Sequence, residues 1–472
     1  MQRKQKPNII INNLLITDAG SEGVCIGKYE DRIIFVPYVV PGDVVDVKVI
    51  KKKKSYYRAV VIAVHTYSLD RVISRCKYFE MCGGCKWQNM NYERQLHYKR
   101  KQVIDNFQHI GKFEFPEVNP IISSELIFAY RNKMEYTFSN KRWLYESEMQ
   151  DVDAGLVDTN GLGFHFPSMF NKILDIHHCD LHDELGNDIR NSVRKYAIDK
   201  KISFCNLRTQ SGLLRNLIIR TSSTGDVMVI LVVTEFNQEV EGLLSFLKQK
   251  FPQITSLMYV KNIKMNSSMT DLVAEGYSGN DFLMEEVGDL KFKIAPLAFY
   301  QTNSKQAVKL YEAVLRLADV KKTHTVYDLY TGAGTIALCM AKYAKKVIGI
   351  EYIESAVEAA HENATLNHIE NAHFFAGDMV DILTDEFVAL NGLPDIIVTD
   401  PPRAGMHPKV VSQLLKIMPQ RIVYVSCNPA TQARDIALLA HKYVVKEVQP
   451  VDMFPHTHHV ENIAVLIKRS QD

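Results

Sequence analysis

The sequence predicts an α/β protein whose C-terminal part is a doubly wound parallel sheet, preceded by a small β-barrel and a mixed, sheet-containing central domain. Three patterns carry this prediction. From about residue 300 onward, short apolar strands alternate regularly with helical segments, as parallel strands buried on both faces do. Residues 8 to about 66 break instead into short strands separated by Gly and Pro turns, a length and pattern that suit a closed barrel. Between them, strands and helices mix without a regular period. The boundaries fall at 1–68, 69–290 and 291–472, and three domains are within reach of a 472-residue chain.

In the first segment the expected strands are Ile9–Ile11, Gly20–Gly27, Asp31–Tyr38, Val44–Val49 and Arg58–Val64, the last following the run Lys51-Lys52-Lys53-Lys54. The overall charge of +2 hides an asymmetry, because residues 1–100 carry 18 Lys and Arg against 9 Asp and Glu, and the rest carry 38 against 45. A basic front end attracts a polyanion, and small barrels with basic loops bind single-stranded or irregular RNA. Tyr92 to about Gly111 reads as a helix rich in Lys, Arg and His. The central domain shows strands Leu217–Thr221 and Val227–Thr234 and a helix near Val240–Lys250.

In the last segment, strand Thr325–Leu329 feeds a glycine turn and helix Ile336–Tyr343, and strand Val347–Glu351 feeds helix Ser355–Asn367. Strands His373–Phe375, Ile396–Thr399, Ile422–Ser426 and Ile463–Ile467 follow. No basic start leads into an apolar run and no span of about eighteen apolar residues occurs, so a cytoplasmic protein without membrane attachment is expected. Eight cysteines in such a chain point to metal binding or catalysis where they cluster, not to disulfides.

The turn Asp328-Leu329-Tyr330-Thr331-Gly332-Ala333-Gly334-Thr335 lies between a strand and a helix. Glycine is needed where backbone turns tightly against a ligand, and Glu351, nineteen residues past Gly332 at the end of the next strand, can accept hydrogen bonds from a ribose. NAD and S-adenosylmethionine satisfy this pattern equally. Two later features favour a transferase over a dehydrogenase: the rigid turn Asp400-Pro401-Pro402-Arg403-Ala404-Gly405 at the carboxyl edge of the sheet, and a nucleophile at the end of the next strand, in Ser426-Cys427-Asn428-Pro429. Asn428 and Pro429 suit the cap and first position of a helix spanning Thr431–Ala440. Cys427 would then face a positive helix end, which predicts a lowered thiol pKa.

Uracil C5 is a weak nucleophile, and addition of a thiolate to C6 concentrates charge at C5. A base must afterwards remove the C5 proton. Glu461, in Pro455-His456-Thr457-His458-His459-Val460-Glu461, is the candidate, with His456, His458 and His459 as competitors. A metal held by these histidines is not expected, since no cysteine cluster or partner carboxylate adjoins them.

Together these motifs resemble the RNA uracil-C5 methyltransferases, and specifically the iron–sulfur, TRAM-containing branch that acts on 23S ribosomal RNA. The resemblance spans nearly the whole chain: the basic OB-like barrel, Cys76-x5-Cys82-Gly83-Gly84-Cys85-x2-Gln88, Phe299-x-Gln301, Asp328 to Thr335, Asp400 to Gly405, Ser426 to Pro429 and His459-Val460-Glu461. It implies a Rossmann-like class I S-adenosylmethionine-dependent methyltransferase domain. The cofactor contacts it implies are Gln301, Tyr330, Gly332, Gly334, Thr335, Glu351, Asp378 and Asp400, with Cys427 as nucleophile and Glu461 as proton acceptor. Tyr330 and Thr335 depart from the phenylalanine and asparagine that many members carry.

The same resemblance implies a [4Fe–4S] cluster on Cys76, Cys82, Cys85 and a distant fourth ligand, Cys179. The spacing alone leaves zinc open. Cys25, Cys205 and Cys339 have no such context and are expected in the core or on the surface. The implied partner is 23S ribosomal RNA, with transfer RNA as the alternative and a monomer as the assembly. A cytosine-C5 methyltransferase would place cysteine directly after the fourth-strand proline, where Arg403 stands, and an amino-group methyltransferase would place an aromatic there. A degenerate RNA-binding relative would not need both Cys427 and Glu461.

Overall fold

In the computed structural model, which describes residues 9–149, 157–167, 169–266, 268–269 and 271–470, the strands form a closed barrel, two seven-stranded sheets and a hairpin. The first eight residues of the expected barrel domain lie outside the described residues.

The barrel consists of β1 (Ile10–Ala19), β2 (Cys25–Tyr29), β3 (Arg32–Val36), β4 (Val44–Lys52) and β5 (Tyr56–Thr66), closed in the order β1-β2-β3-β5-β4. Strand alternation builds its core: Val45, Val47 and Val49 of β4 point inward against Ile11, Leu14, Ile16, Ile34 and Val36, while Lys48 and Ile50 face out. The lysine run forms the exposed tip of the β4–β5 hairpin. Beyond the barrel, Asn91 caps the helix Tyr92–Asn106 by accepting from Arg94 N. That helix continues to Gly111 as expected, but Phe107–Gly111 widens into a π turn.

The central sheet comprises β6 (Lys133–Ser139), β7 (Gly161–Phe166), β8 (Met169–Asp175), β9 (Leu214–Thr221), β10 (Val227–Val233), β11 (Ser256–Lys261) and β12 (Ala274–Gly279), in the order β12-β11-β10-β9-β6-β7-β8. The uninterrupted apolar run of β10 has a physical reason, because its two faces feed two cores. Val227, Val229, Leu231 and Val233 pack with Val193 and Leu243 of the helices Glu184–Asp199 and Gln238–Lys250. Met228, Ile230 and Val232 pack instead with Leu310 and Val314 of the helix Ser304–Ala318 and with Phe292. Each fully buried aliphatic side chain contributes about 1.5–3 kcal/mol, so this shared core joins the central and C-terminal parts. The hairpin of β13 (Leu283–Val287) and β14 (Leu290–Ile294) straddles residue 290 and lies in that same core.

The C-terminal sheet comprises β15 (Thr325–Leu329), β16 (Lys346–Glu351), β17 (Ala372–Ala376), β18 (Ile396–Thr399), β19 (Arg421–Ser426), β20 (Tyr443–Val451) and β21 (Glu461–Lys468). Its order is β17-β16-β15-β18-β19-β21-β20. Five strands are parallel, as the regular alternation predicts, but β21 inserts antiparallel between β19 and β20. The expectation of a wholly parallel sheet is therefore corrected at this edge, where β20 was not foreseen. The chain direction reverses outward on either side of β15, so a crevice opens at the carboxyl ends of β15 and β18, where ligands of doubly wound sheets bind. Among the described residues no helix is long and apolar enough to cross a membrane.

Candidate active site

The antiparallel insertion of β21 brings the two candidate catalytic residues together. In the β19–β21 ladder Ser426 pairs with Asn462, so the next residue of one strand, Cys427, lies beside the preceding residue of the other, Glu461. A parallel β21 would have placed Glu461 at the opposite edge of the sheet. Asn428 caps the helix Pro429–Leu439 by accepting from Ala430 N at 3.2 Å, with Pro429 in the first turn. The Asn428 side chain also donates to Arg403 O at 3.0 Å, as does Thr431 Oγ1 at 3.2 Å. These bonds tie the Asp400–Gly405 turn to the cysteine turn, and the Arg403 side chain donates to the Cys427 thiol.

Electrostatics correct one expectation. The Cys427 thiol is not lowered by its helix N-terminus but raised to about 11, first by burial and then by the charges of Glu461 and Asp400; Arg403 opposes them. Glu461 is fully enclosed and pushed up to about 8 by burial, then by Asp400, against the pull of Arg403. Burial raises Asp400 to about 6. The dipole of the helix Pro429–Leu439 is a smaller effect than desolvation plus two carboxylates.

The cofactor expectations concentrate at the crevice. Tyr330, Gly332 and Gly334 adopt positive φ of 66°, 56° and 83°, and a Cβ at Gly332 would project into open space, so the turn leaves room for a ligand against its backbone. Glu351 accepts from Gly332 N at 3.1 Å and Ile353 N at 3.0 Å, which fixes its carboxylate at the end of β16 while leaving lone pairs free. Thr335 begins the helix Thr335–Ala341. Asp378 is exposed, caps its own short helix through Val380 N, and is close enough to Tyr330 to raise its phenol to about 12 after burial. The Gln301 carbonyl accepts from Asn132 Nδ2 at 2.9 Å, two residues before Asn303, which caps the helix Ser304–Ala318.

Asp328 is a site residue that sequence reasoning quoted in its motif without giving it a role. It is 1% exposed, and its Oδ2 accepts from Thr331 Oγ1 at 2.6 Å; its buried Oδ1 makes no full hydrogen bond, although the Ala337 N–H at the start of the following helix favours the carboxylate. Burial above all, relieved by Thr331 and reinforced by Asp400, lifts it to about 7. An orphaned buried carboxylate oxygen at the end of β15 fits a cationic donor on the ligand. S-adenosylmethionine, with an amino group and a sulfonium, suits this carboxylate-lined crevice.

The loop between β20 and β21 is held from outside its own sheet. Asn303 Nδ2 donates to Met453 O at 3.0 Å, Lys99 Nζ to Phe454 O at 2.9 Å and Tyr130 OH to Pro455 O at 3.0 Å. Lys86 N and Trp87 N both donate to His456 O, and Gln95 Oε1 accepts from His456 N. Lys99 and Asp452, both 0% exposed, form an ion pair at 2.5 Å, and Tyr92 OH donates to the other Asp452 oxygen. Burial, then the Lys99 charge, lowers His456 and His458 to about 4; burial, then His458, Arg403 and Lys99, lowers His459 to about 3. These histidines are neutral near pH 7. No sequence signal singled out Lys99, because a lysine in a basic helix looks like any solvated one.

Cys76, Cys82, Cys85 and Cys179 come together as free thiols, with the Cys85 thiol raised by burial and by the charges of the other three. Backbone N–H groups of Tyr78 and Phe79 point at Cys76, that of Gly84 at Cys82, and those of Leu181 and His182 at Cys179. Gln88 Nε2 donates to Cys85 Sγ at 3.7 Å. Among the described residues, however, no group of three or more His, Cys, Asp or Glu is arranged to hold a metal ion, so the expected metal site is not present as a ready coordination sphere. Cys25, Cys205 and Cys339 are buried.

Known proteins resemble the chain over most of its length. The profile of the tRNA (uracil-5-)-methyltransferase family matches residues 270–470, and that of the TRAM domain matches residues 12–62. An uncharacterized RNA methyltransferase of Bacteroides thetaiotaomicron is 53% identical, covering 94% of this chain and 99% of its own. One from Chlorobaculum tepidum is 39% identical, covering 98% and 97%. Among solved structures, the tRNA (uracil-54, C5)-methyltransferase of Pyrococcus abyssi in complex with S-adenosyl-L-homocysteine superposes with a TM-score of 0.73 at 29% identity, covering 96% of this chain and 99% of that one.

Proposed function

Since the chain belongs to the RNA (uracil-5-)-methyltransferase family and carries its TRAM domain, we propose that it methylates C5 of a uridine in 23S ribosomal RNA through a covalent adduct on Cys427. The observation that carries this reading is the ladder register that sets Cys427 beside Glu461, with Arg403 donating to the sulfur.

The Cys427 thiolate forms a bond to C6, and the ring electrons move to C5 and O4. Asp328, Glu351, Asp378, Asp400, Gln301, Thr335 and the Tyr330–Gly334 turn would hold S-adenosylmethionine, whose sulfonium would give its methyl group to C5 and leave as neutral S-adenosylhomocysteine. The Glu461 carboxylate takes the C5 proton, the C5–C6 double bond re-forms and the C6–S bond breaks, releasing Cys427. Arg403 stabilises the thiolate at both ends of the cycle. His456, His458 and His459, lowered to about 4, 4 and 3, are weaker bases than Glu461 at about 8 and leave the proton to the carboxylate.

RNA carrying tritium at uridine C5 tests the reading. Release of label to water requires Cys427, so Cys427→Ala abolishes release while S-adenosylhomocysteine still binds; undiminished release by that variant removes the mechanism. A 23S ribosomal RNA transcript is the expected substrate. A transfer RNA transcript is the second reading, favoured by what the Pyrococcus abyssi relative acts on.

The cysteine group is read as the seat of a [4Fe–4S] cluster. Supporting this are an all-sulfur donor set and N–H groups aimed at three of the four sulfurs with Gln88 at the fourth, which favour thiolates. Anaerobically purified protein should contain about four iron and four sulfide per chain, the composition that defines such a cluster. Stoichiometric zinc without sulfide would overturn it.

A further inference from the structure

The linker Tyr67–Ile73, which joins the barrel to the cysteine segment, holds four large apolar side chains in solvent: Tyr67, Leu69, Val72 and Ile73, with Leu69 and Ile73 wholly exposed. This exposure is built, not frayed. The wholly buried Asp43 accepts from Ser68 N at 2.9 Å and pairs with Arg71 at 2.5 Å, Arg71 N donates to Ser68 O, Val72 N to Asn89 O, and Asn91 N to Asp70 O. A turn pinned at four of its seven residues, Ser68, Asp70, Arg71 and Val72, spends its rigidity on holding aliphatic side chains in water, which folding alone disfavours.

The surroundings indicate the partner. Arg71 lies over the Tyr67 ring at 5.3 Å, and Arg75, Lys77 and Arg94 border the same segment with exposed or half-exposed side chains. Arg75 covers Phe128 at 5.0 Å, and Phe128 stacks on His456 at 4.4 Å, in the loop that leads to Glu461. The turn is thus contiguous with the catalytic loop. Aliphatic tips inside a cationic rim match nucleic acid, whose phosphates meet the rim while its base faces meet the tips. Arg71, Arg75 and Arg94 each pair with a carboxylate, of Asp43, Asp180 and Asp70, which fixes their guanidinium groups and leaves Lys77 to supply the net positive charge of the rim.

Resting on the uridine-methylation reading, we propose that Leu69 and Ile73 form a wedge that packs against unstacked bases of the folded RNA beside the target uridine and holds open the stack from which that uridine is withdrawn. Extruding a base costs its stacking, and apolar wedges offset that cost by covering the faces left behind.

The test is the Leu69→Ser/Ile73→Ser double variant of the full chain, assayed on an unmodified 23S ribosomal RNA transcript, a transfer RNA transcript and a short single-stranded uridine oligonucleotide. Loss of the apolar area that the two aliphatic side chains bury against base faces predicts about a tenfold weaker binding or higher KM on the folded substrate. Binding to the single strand, S-adenosylhomocysteine affinity, melting temperature and the slope of binding against salt should stay unchanged, since no charge is removed. Equal loss on folded and single-stranded RNA, or no loss on either, overturns the wedge. So does a change in sedimentation with RNA binding intact, which would assign the surface to protein association. If the unaltered protein binds these RNAs but releases no tritium from any of them, the methylation reading fails, and filter binding of the same transcripts still decides the wedge.

Discussion

Replacing Glu461 with glutamine separates the two halves of the catalytic cycle. The carboxyl is fully enclosed and raised to about 8, so in the free protein near pH 7 only about one molecule in ten carries the anion that can accept the C5 proton. As pH rises to 8 that fraction grows about fivefold, to one half, and label release from C5-tritiated RNA should climb with it before levelling. Glutamine has nearly the same shape but cannot take the proton, and loss of a general base costs about 10²–10⁴ in rate. Addition of Cys427 and methylation still proceed, so the Glu461→Gln protein should accumulate an RNA adduct visible as a slow band in denaturing gels, and its residual release should lose the pH-dependent limb. The fold can be checked independently. A carboxyl whose folded pKa is raised from 4.5 to about 8 gives stability that is fully present below pH 4.5 and lost as pH rises through 8. The variant should therefore melt like the parent at acid pH and above it at pH 9. Adduct-free protein with normal release would remove Glu461 from the base role.

Two further outcomes follow from the buried charges. Lys99→Met leaves Asp452 enclosed without its cation, which costs about 3–5 kcal/mol in denaturant unfolding; the surviving folded enzyme should show lower kcat with unchanged S-adenosylhomocysteine affinity, and Lys99→Met/Asp452→Leu should recover stability but not kcat. A stable single variant with full kcat would show that the loop needs no such anchor. Near pH 7, Asp328 at about 7, Asp400 at about 6 and Glu461 at about 8 hold about half, a tenth and nine tenths of a proton. Calorimetry of S-adenosylmethionine binding in buffers of different ionisation enthalpy should therefore detect proton release bounded by about one and a half protons, and S-adenosylhomocysteine, whose sulfur is neutral, should release fewer. Equal proton counts for the two ligands would refute the assignment of this crevice to the sulfonium.

Local features of the site were legible because local chemistry encodes them. Asn428 and Pro429 announce a helix start and make one, and Gly332 and Gly334 mark a turn whose positive φ requires them. The carboxyl-edge placement of Asp400 follows from strand–helix alternation alone. What could not be read depends on partners distant in sequence. The direction of β21 is set by its hairpin with β20, whose pattern is broken by a bulge between Val445 and Glu447 and by Pro450. The Cys427 pKa is governed by Asp400 and Glu461, brought from other strands, so reasoning from the helix end alone gave the wrong sign. Lys99 and Asp452 meet across more than three hundred residues.

The raised thiol is consistent with the reaction rather than opposed to it. A thiolate formed in advance would be open to oxidation and alkylation between turnovers. Here Glu461 and Asp400 suppress it while Arg403 alone favours it, so the balance tips only when positive charge enters the crevice and relieves the carboxylates. A cation bound at Asp328 and Asp400 would lower both the Cys427 thiol and the Glu461 carboxyl. On the proposed mechanism, the rise of label release with pH seen at limiting cofactor should therefore move to lower pH when S-adenosylmethionine saturates, and an unmoved limb would refute this coupling.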